Sequence, residues 1–550
     1  MTSPEIAVTR TRLGSSIRNH ITAYLFLLPA GLLIFLFGIF PVVFAFFVSL
    51  HRWRRFPEGF RGLDQYVDAM GNFAFIAFMW IAVGLAIYGA VNLWRFWQNT
   101  PWRERGHIIS GAVIVAFVIA FNYWFFQLLP IVLTIPQRLL GQQVTQSLFL
   151  SEFAASFTFD TVSVAAGYVW LTLVVMVAGL LVTTRLFKSP DMSHRIVSTT
   201  LGVGALVLSA LLFWLTLTEI NVAIAEAIED GESLPVWSQI IIISAGALAL
   251  GAAVWLWRRT NQPGRGSRSL VVRGLLVILL IIVAYALIIE LPRALSNADD
   301  DMLQGFAVTV MFSVFSVPLQ LALGLAGAVL LFSNIKAKAF FRMVYFLPYI
   351  TPFAATSVIF SLIFSHRAES PANQFITALG IPEQNWLLEP AGIFQLMFGE
   401  GVPDALAGPG LALVVIIIYN VWVYAGYSSV IFLAGLGNIP RELYEAARID
   451  GASGWHQFRH ITLPLLSPTT FFLMLIATIG TFQAFTQIFL LRRPGSFDAV
   501  DTINLYIYEE IKRTTPDYAY GSALAFVLFA VILALTLVQN RIAGRKVFYG

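Results

Sequence analysis

Long runs without a single charge constrain this chain more than any other feature. From Ile21 to Leu50 no residue is charged, and comparable runs recur to the last helix-sized segment before Arg541. Crossing the apolar layer of a bilayer takes about 20 such residues in a helix. Inside that layer no water satisfies backbone groups, so only helices and closed barrels span it. The runs are continuous rather than alternating, which selects helices. Composition agrees: the 550 residues are 58% hydrophobic and only 12% charged, about half the charge of a typical soluble protein. The expected fold class is therefore all-α, a polytopic helical membrane protein.

About 12 transmembrane spans are expected on that basis. They fall near 21–50, 73–93, 108–134, 161–184, 196–218, 238–257, 271–290, 306–333, 343–365, 411–434, 465–491 and 521–540. The first is too long for a signal-peptide core and lacks a small-residue cleavage site, so it reads as a retained span. Cytoplasmic loops carry the excess of Lys and Arg. With the N-terminus inside, every inside segment holds at least three basic residues, among them Arg10, Arg12 and Arg18; Arg95, Arg103 and Arg105; Arg185, Lys188 and Arg195; and Arg441, Arg448 and Arg459. Both termini are then cytoplasmic. The group His51, Arg52, Arg54 and Arg55 runs against this pattern and would lie outside. The absence of cysteine excludes disulfides and thiolate sites. A net charge of only +4 gives no reason to expect a nucleic-acid partner.

One loop carries chemistry. Between the tenth and eleventh spans, residues 438–464 hold Asn438, Pro440, a run through Leu443, Glu445, Ala446 and Ala447 to Gly451, and then Ile461-Thr462-Leu463-Pro464. Asn438 can cap a helix, Pro440 suits its first turn and Gly451 its end. Leu443, Ala446 and Ala447 lie at helical spacing and make a small apolar face, with Arg441, Glu442, Glu445 and Arg448 around it. A second short helix over 454–461 is expected to stop before Pro464. Small side chains let another surface approach closely, and the charges orient that contact, so the loop suits docking.

Glu445-Ala446-Ala447, Gly451 and Ile461 to Pro464 resemble, at the same spacing, the EAA loop of bacterial and archaeal ABC importer permeases. The segment Phe60 to Tyr66 is similar to the Gly-Leu-Asp-Asn-Tyr segment of sugar-family permeases, and 306–365 and 411–540 look like the core of the maltose- and oligosaccharide-type subunits. The resemblance implies a type I ABC importer permease core over 306–550. It implies a first helix and exterior segment over 1–72, and an inserted block of about six spans over 73–305 that the ordinary subunit lacks. It further implies a cleft in a partner ATPase for the 438–464 loop, with Glu445 facing a basic group there, Gly451 making the turn, and Leu463 and Pro464 closing the motif. The expected partners are a pair of ATP-binding subunits, a second permease, an external solute-binding protein, a sugar and membrane lipid. The expected location is the inner membrane of a prokaryote. The chain has no Gly-x-x-x-x-Gly-Lys-Ser/Thr loop, so no cofactor is expected in it, and ATP and Mg belong to the partner.

A sugar site needs amides or hydroxyls beside aromatic faces. Asn420, Trp422 and Tyr424 in the tenth span and Gln483 and Gln487 in the eleventh are the candidates; each could equally bond between helices. Within the same class, the solute could be a glycerol phosphodiester, a polyol or an amino sugar. A secondary transporter is the rival class. It would show two similar halves and usually a charged group inside a helix, and neither pattern is present. The insert reads either as an extra helical layer facing lipid or as a docking surface, with Glu219, Glu226, Glu229, Asp230 and Glu232 of an exterior loop 219–235 suited to a basic partner. Asn122 and Gln127 are expected to be satisfied between helices.

Overall fold

The computed structural model describes residues 22–544 and 547, except 24, 55–56, 188–190, 232–233, 261–268, 334–335, 400 and 404–405. Among the described residues, 10 helices are long and apolar enough to cross a membrane, and up to 12 if two bent pairs each count as one span. The chain divides into two compact units, Met1–Asn297 with Thr515–Ala523, and Ala298–Thr514 with Leu524–Gly550.

The first unit opens with α1 (Leu25–Ser49). A short antiparallel pair follows, β1 (His51–Trp53) with β2 (Pro57–Phe60), a small departure from an all-helical chain. Helix α2 (Asp64–Met70) comes next. Six long helices then span the region expected to hold six: α3 (Phe73–Asn99), α4 (His107–Leu133), α5 (Asp160–Leu186), α6 (Met192–Glu229), α7 (Val236–Thr260) and α8 (Ser269–Tyr285), the last continuing through a π-turn. Hydroxyls and amides bond between these helices. Ser209 Oγ donates to the Ala82 carbonyl at 2.7 Å, Ser110 and Thr183 share a proton at 2.8 Å, and Asn92 and Ser198 exchange two bonds at 2.9 and 3.1 Å.

Three expectations for this unit change. Helix α6 runs on to Glu229, so most of the supposed loop 219–235 is helical, and Glu232 lies outside the described residues. Glu219 accepts the Leu63 amide at 3.2 Å, fixing the 60–66 segment to α6 instead of facing a partner. Asn122 donates to the Val118 carbonyl of its own helix at 2.7 Å, because an amide one turn along reaches that carbonyl without any neighbour.

The second unit comprises α9 (Asp300–Phe332), α10 (Lys338–Ile350), α11 (Phe353–Ile363), α12 (Leu411–Gly437), α13 (Arg441–Ile449), α14 (Gly454–Leu465), α15 (Ser467–Phe482), α16 (Thr486–Leu491) and α17 (Ile503–Lys512). Helix α18 (Tyr518–Ile542) begins in the first unit and ends in the second. Helix α12 is the axis of this unit. Its most apolar stretch is 72% buried, against 11% for α1. It packs along α9, and Gly426 lets the Tyr345 carbonyl come so close that a Cβ there would lie 2.0 Å from it.

The ninth expected span, 343–365, is not straight: α10 and α11 meet at 94°. Thr351 sits at φ −72°, ψ 137° because the ring of Pro352 excludes the helical conformation from the residue before it. The eleventh, 465–491, is broken twice. Helices α14 and α15 meet at 63°, and the chain breaks again between Phe482 and Thr486.

Candidate functional site

Helix α13 carries the loop singled out by sequence. Asn438 does not cap it: that residue closes α12, its N–H bonding the Gly435 carbonyl, and Pro440 occupies the N-cap position. The proline ring fixes the turn between the two helices, and α13 has no side-chain cap. At the other end the Gly451 N–H bonds the Arg448 carbonyl at 3.1 Å and the Ala452 N–H bonds Ala447 at 2.8 Å. This is the paired closure of a helix on a left-handed residue, and Gly451 stands at φ +79°.

Ser453 then caps α14 by accepting the His456 N–H. Helix α14 does not stop before Pro464. A π-turn over Phe458–Thr462 spaces the backbone so that the proline enters the last turn, and the helix ends at Leu465. Leu463 and Pro464 both remain exposed. Tyr444 and Thr462 share a hydroxyl proton at 3.0 Å, and Gln457 donates to the Ala452 carbonyl at 2.9 Å. These bonds join α13 and α14 into one peg. Arg441, Glu445 and Arg448 border a cavity of about 490 Å³ beside it.

The helix period separates the faces of α13. Tyr444 and Ala447 are half-buried against the protein, whereas Glu442, Glu445, Ala446 and Ile449 point outward. Ala446 and Ala447 therefore do not share one face. The outward apolar residue that sequence reasoning missed is Ile449, 87% exposed, joined by Trp455 at 65%. Its position three residues after Ala446, on the same side of the helix, is the signal that would have found it.

The five polar and aromatic candidates separate into two segments. Asn420 is 2% exposed and donates to Gln320 on α9 at 3.4 Å. Tyr424, one turn on, meets Tyr349 edge-on with ring centroids 5.9 Å apart. Trp422 projects from the opposite side of α12, is 42% exposed and packs on Phe360. Gln483 lies at the break after α15, exposed, its carbonyl accepting the Asn504 amide at 3.0 Å. Gln487 is buried in the first turn of α16. The two segments border one apolar cluster, to which Tyr419, Val423, Ala484 and Ile488 belong and against which Tyr424 and Phe485 pack.

At the end of this unit opposite α13, Arg492 holds Asp501 at 3.0 Å and also Glu509. Burial raises the Asp501 carboxyl from its ordinary 3.8 to about 6 even though Arg492 pulls the other way. Asp299 accepts the Tyr506 hydroxyl at 2.6 Å and the Met302 amide at 3.1 Å, and burial, with that bond second, pushes the phenol upward. The stretch 366–410 is knotted at the buried Asn373, whose amide bonds the Arg367 and Gln384 carbonyls and accepts from the Gln384 N–H and the Trp386 indole, all between 2.8 and 3.2 Å.

Apolar helices long enough to cross a membrane, a span broken near Gln483 and an outward helix–turn–helix peg define a membrane-spanning protein of the transporter class. The family model described as the binding-protein-dependent transport system inner membrane component matches residues 320–547. The chain is 31% identical over 239 residues to the lactose transport system permease protein of Rhizobium radiobacter, covering 43% of this chain and 74% of the relative. It is 34% identical over 232 residues to the arabinooligosaccharides transport system permease protein of Bacillus subtilis (strain 168), with 42% and 65% covered. It is 31% identical over 235 residues to the trehalose/maltose transport system permease protein of Thermococcus litoralis, with 43% and 72% covered. The chain belongs to this family of ABC importer permeases.

Proposed function

We propose that this chain is one of two different permease subunits of an importer that moves a sugar or oligosaccharide into a prokaryotic cell across the inner membrane. An external solute-binding protein delivers the solute. ATP and Mg bind in a separate pair of ATPase subunits, and the peg of α13 and α14 seats in one of them. The three relatives are named for transport of lactose, arabinooligosaccharides and trehalose or maltose, which supports a carbohydrate. The core helices α9, α12 and α15 carry no acidic residue or histidine away from their ends, which supports a neutral solute and an external energy source. Both termini are placed in the cytoplasm, on the side of the basic clusters.

The observation that carries the reading is the rigid, outward α13. Its end is closed by Gly451, its base is tied to α14 by Tyr444 and Thr462, and Glu445, Ala446 and Ile449 stay exposed. Closure of the two ATPases would pull on the peg and rock the core between two access states, each ligand acting by its different affinity for the two. Irregular backbone at membrane depth is tolerated only inside protein or along a water-filled cavity. The break at Gln483 therefore supports a pathway there, with Gln483, Gln487 and Tyr424 offered to the solute and Asn420 holding α12 to α9 beside it.

The test is purification of the chain from its own membranes beside a Glu445→Lys variant, with identification of co-purifying proteins and uptake of labelled maltooligosaccharide and glycerophosphodiester into reconstituted vesicles. We expect an ATP-binding subunit with the normal chain, its loss with the variant, and ATP-dependent sugar uptake by the normal complex alone. A complex that imports the phosphodiester and not the sugar overturns the substrate. A chain that carries no ATPase under conditions that hold other membrane complexes together overturns the importer.

A further inference from the structure

The first unit holds a polar cavity lined by none of the residues assigned above to the peg or the pathway. It has a volume of about 590 Å³ and lies where α3 ends and α6 begins. Asn92, Arg95 and Asn99 of α3 line one side, and His194, Arg195 and Ser198 of α6 the other. The two bonds between Asn92 and Ser198 make a fixed floor. Glu104 holds Arg195 in place. Among the described residues Arg95, Asn99 and His194 have no hydrogen-bond or ion-pair partner, so a guanidinium, an amide and an imidazole converge on one cavity with their donors unspent.

The surroundings fix the depth of this cavity in the bilayer. Trp94, Trp97 and Trp102 are exposed around the same helix end, Trp102 by 77%. Tryptophans in that position mark the head-group layer. Arg105 stacks over Trp97 at 4.3 Å and Trp102 at 5.1 Å, a guanidinium held flat at the same level.

We propose that this cavity binds the phosphodiester head group of an anionic phospholipid such as phosphatidylglycerol. Guanidinium groups recognise phosphate oxygens through paired, charge-assisted bonds, and basic pockets between spanning helices at this depth suit acidic lipids. Asp191 on the rim offsets part of the positive charge. That offset favours a singly charged diester over free inorganic phosphate, which is more than singly charged at neutral pH. The acyl chains would run down the exposed apolar surface below Trp94. The assignment concerns the inserted helices alone and is independent of the solute carried by the core.

The experiment is native mass spectrometry of the delipidated full-length chain, with any subunits that accompany it, titrated with phosphatidylglycerol, phosphatidylcholine or inorganic phosphate. A double variant Arg95→Gln/His194→Gln runs beside the normal chain, as does a control, Arg367→Gln, in the other unit. We expect phosphatidylglycerol to bind roughly tenfold more tightly than phosphatidylcholine, which has the same phosphodiester but adds a choline cation that the basic lining repels. That preference should vanish in the double variant and persist in the control, while inorganic phosphate at equal concentration displaces none of it. Equal binding of the two lipids by the normal chain overturns the proposal. So does a preference that survives the double variant, and so does displacement by inorganic phosphate, which would make the ligand a soluble anion. Thermal unfolding of each variant separates loss of binding from loss of fold.

Discussion

Single side chains carry much of the logic of the second unit, and Asp501 is a carboxyl there whose behaviour depends on pH. Its carboxyl is partly buried beside Arg492, and desolvation outweighs the arginine. The folded state therefore holds the proton to about 6, whereas the ordinary value is 3.8. A raised carboxyl contributes stability that is complete below the unfolded value and disappears as pH rises through the folded one. The expected outcome is a chain whose thermal midpoint in detergent falls as pH is raised from about 4 to about 6, with Asp501→Asn removing part of that fall. Asp68, raised chiefly by burial and next by Asp64, slopes in the same direction, so the difference between chain and variant is the quantity to measure. Parallel curves across the window would show that Asp501 does not titrate there. Nothing in the sequence around Asp501 announces its burial, because Arg492 and Glu509 reach it only after the chain has turned twice.

At the scale of the helix, the peg of α13 and α14 depends on one backbone conformation. A residue other than glycine at φ +79° costs about 1–2 kcal/mol. Gly451→Ala should loosen the C-terminal turn of α13 without touching its outward face, since nothing lies within 4 Å of the added Cβ. We expect faster hydrogen exchange over 446–452 and weaker retention of the ATPase, with exchange in α12 unchanged. Unchanged exchange over 446–452 would show that the turn does not depend on glycine. Gly451 was legible because glycine after a helical run is a stop signal, and the lengths of the straight helices were legible because hydropathy and period point the same way. The bends were not. Hydropathy averages over 343–365 and is blind to the turn at Pro352, although Pro348 and Pro352 within five residues of apolar sequence marked the place. Asn420 and Gln320 could be named as polar residues in apolar helices, but that they bond each other follows only from how α9 packs on α12.

At the scale of the whole chain, the proposed orientation rests on the distribution of charge along the sequence. The described Arg95, Arg105, Arg195 and Arg448 all flank helix ends that the count of spans puts on one side, and the Asn373 knot and the Arg492 cluster fall on the other. An error of one span would move whole basic segments to the opposite side, so the proposed orientation stands or falls with the count of spans. The absence of cysteine makes it directly measurable, since a single introduced thiol labels without background. Ser193 and Ala378 are both exposed, the first just inside α6 and the second in the stretch after α11. In intact cells a membrane-impermeant maleimide should label Ala378→Cys and leave Ser193→Cys unlabelled until the membrane is permeabilised. The reverse pattern would invert the molecule and put the α13 peg outside, where no ATP-driven partner could reach it. Labelling of both from outside would instead mean that one of the helices between them does not cross, and the bent pair α10 and α11, at 94°, is the first place to look.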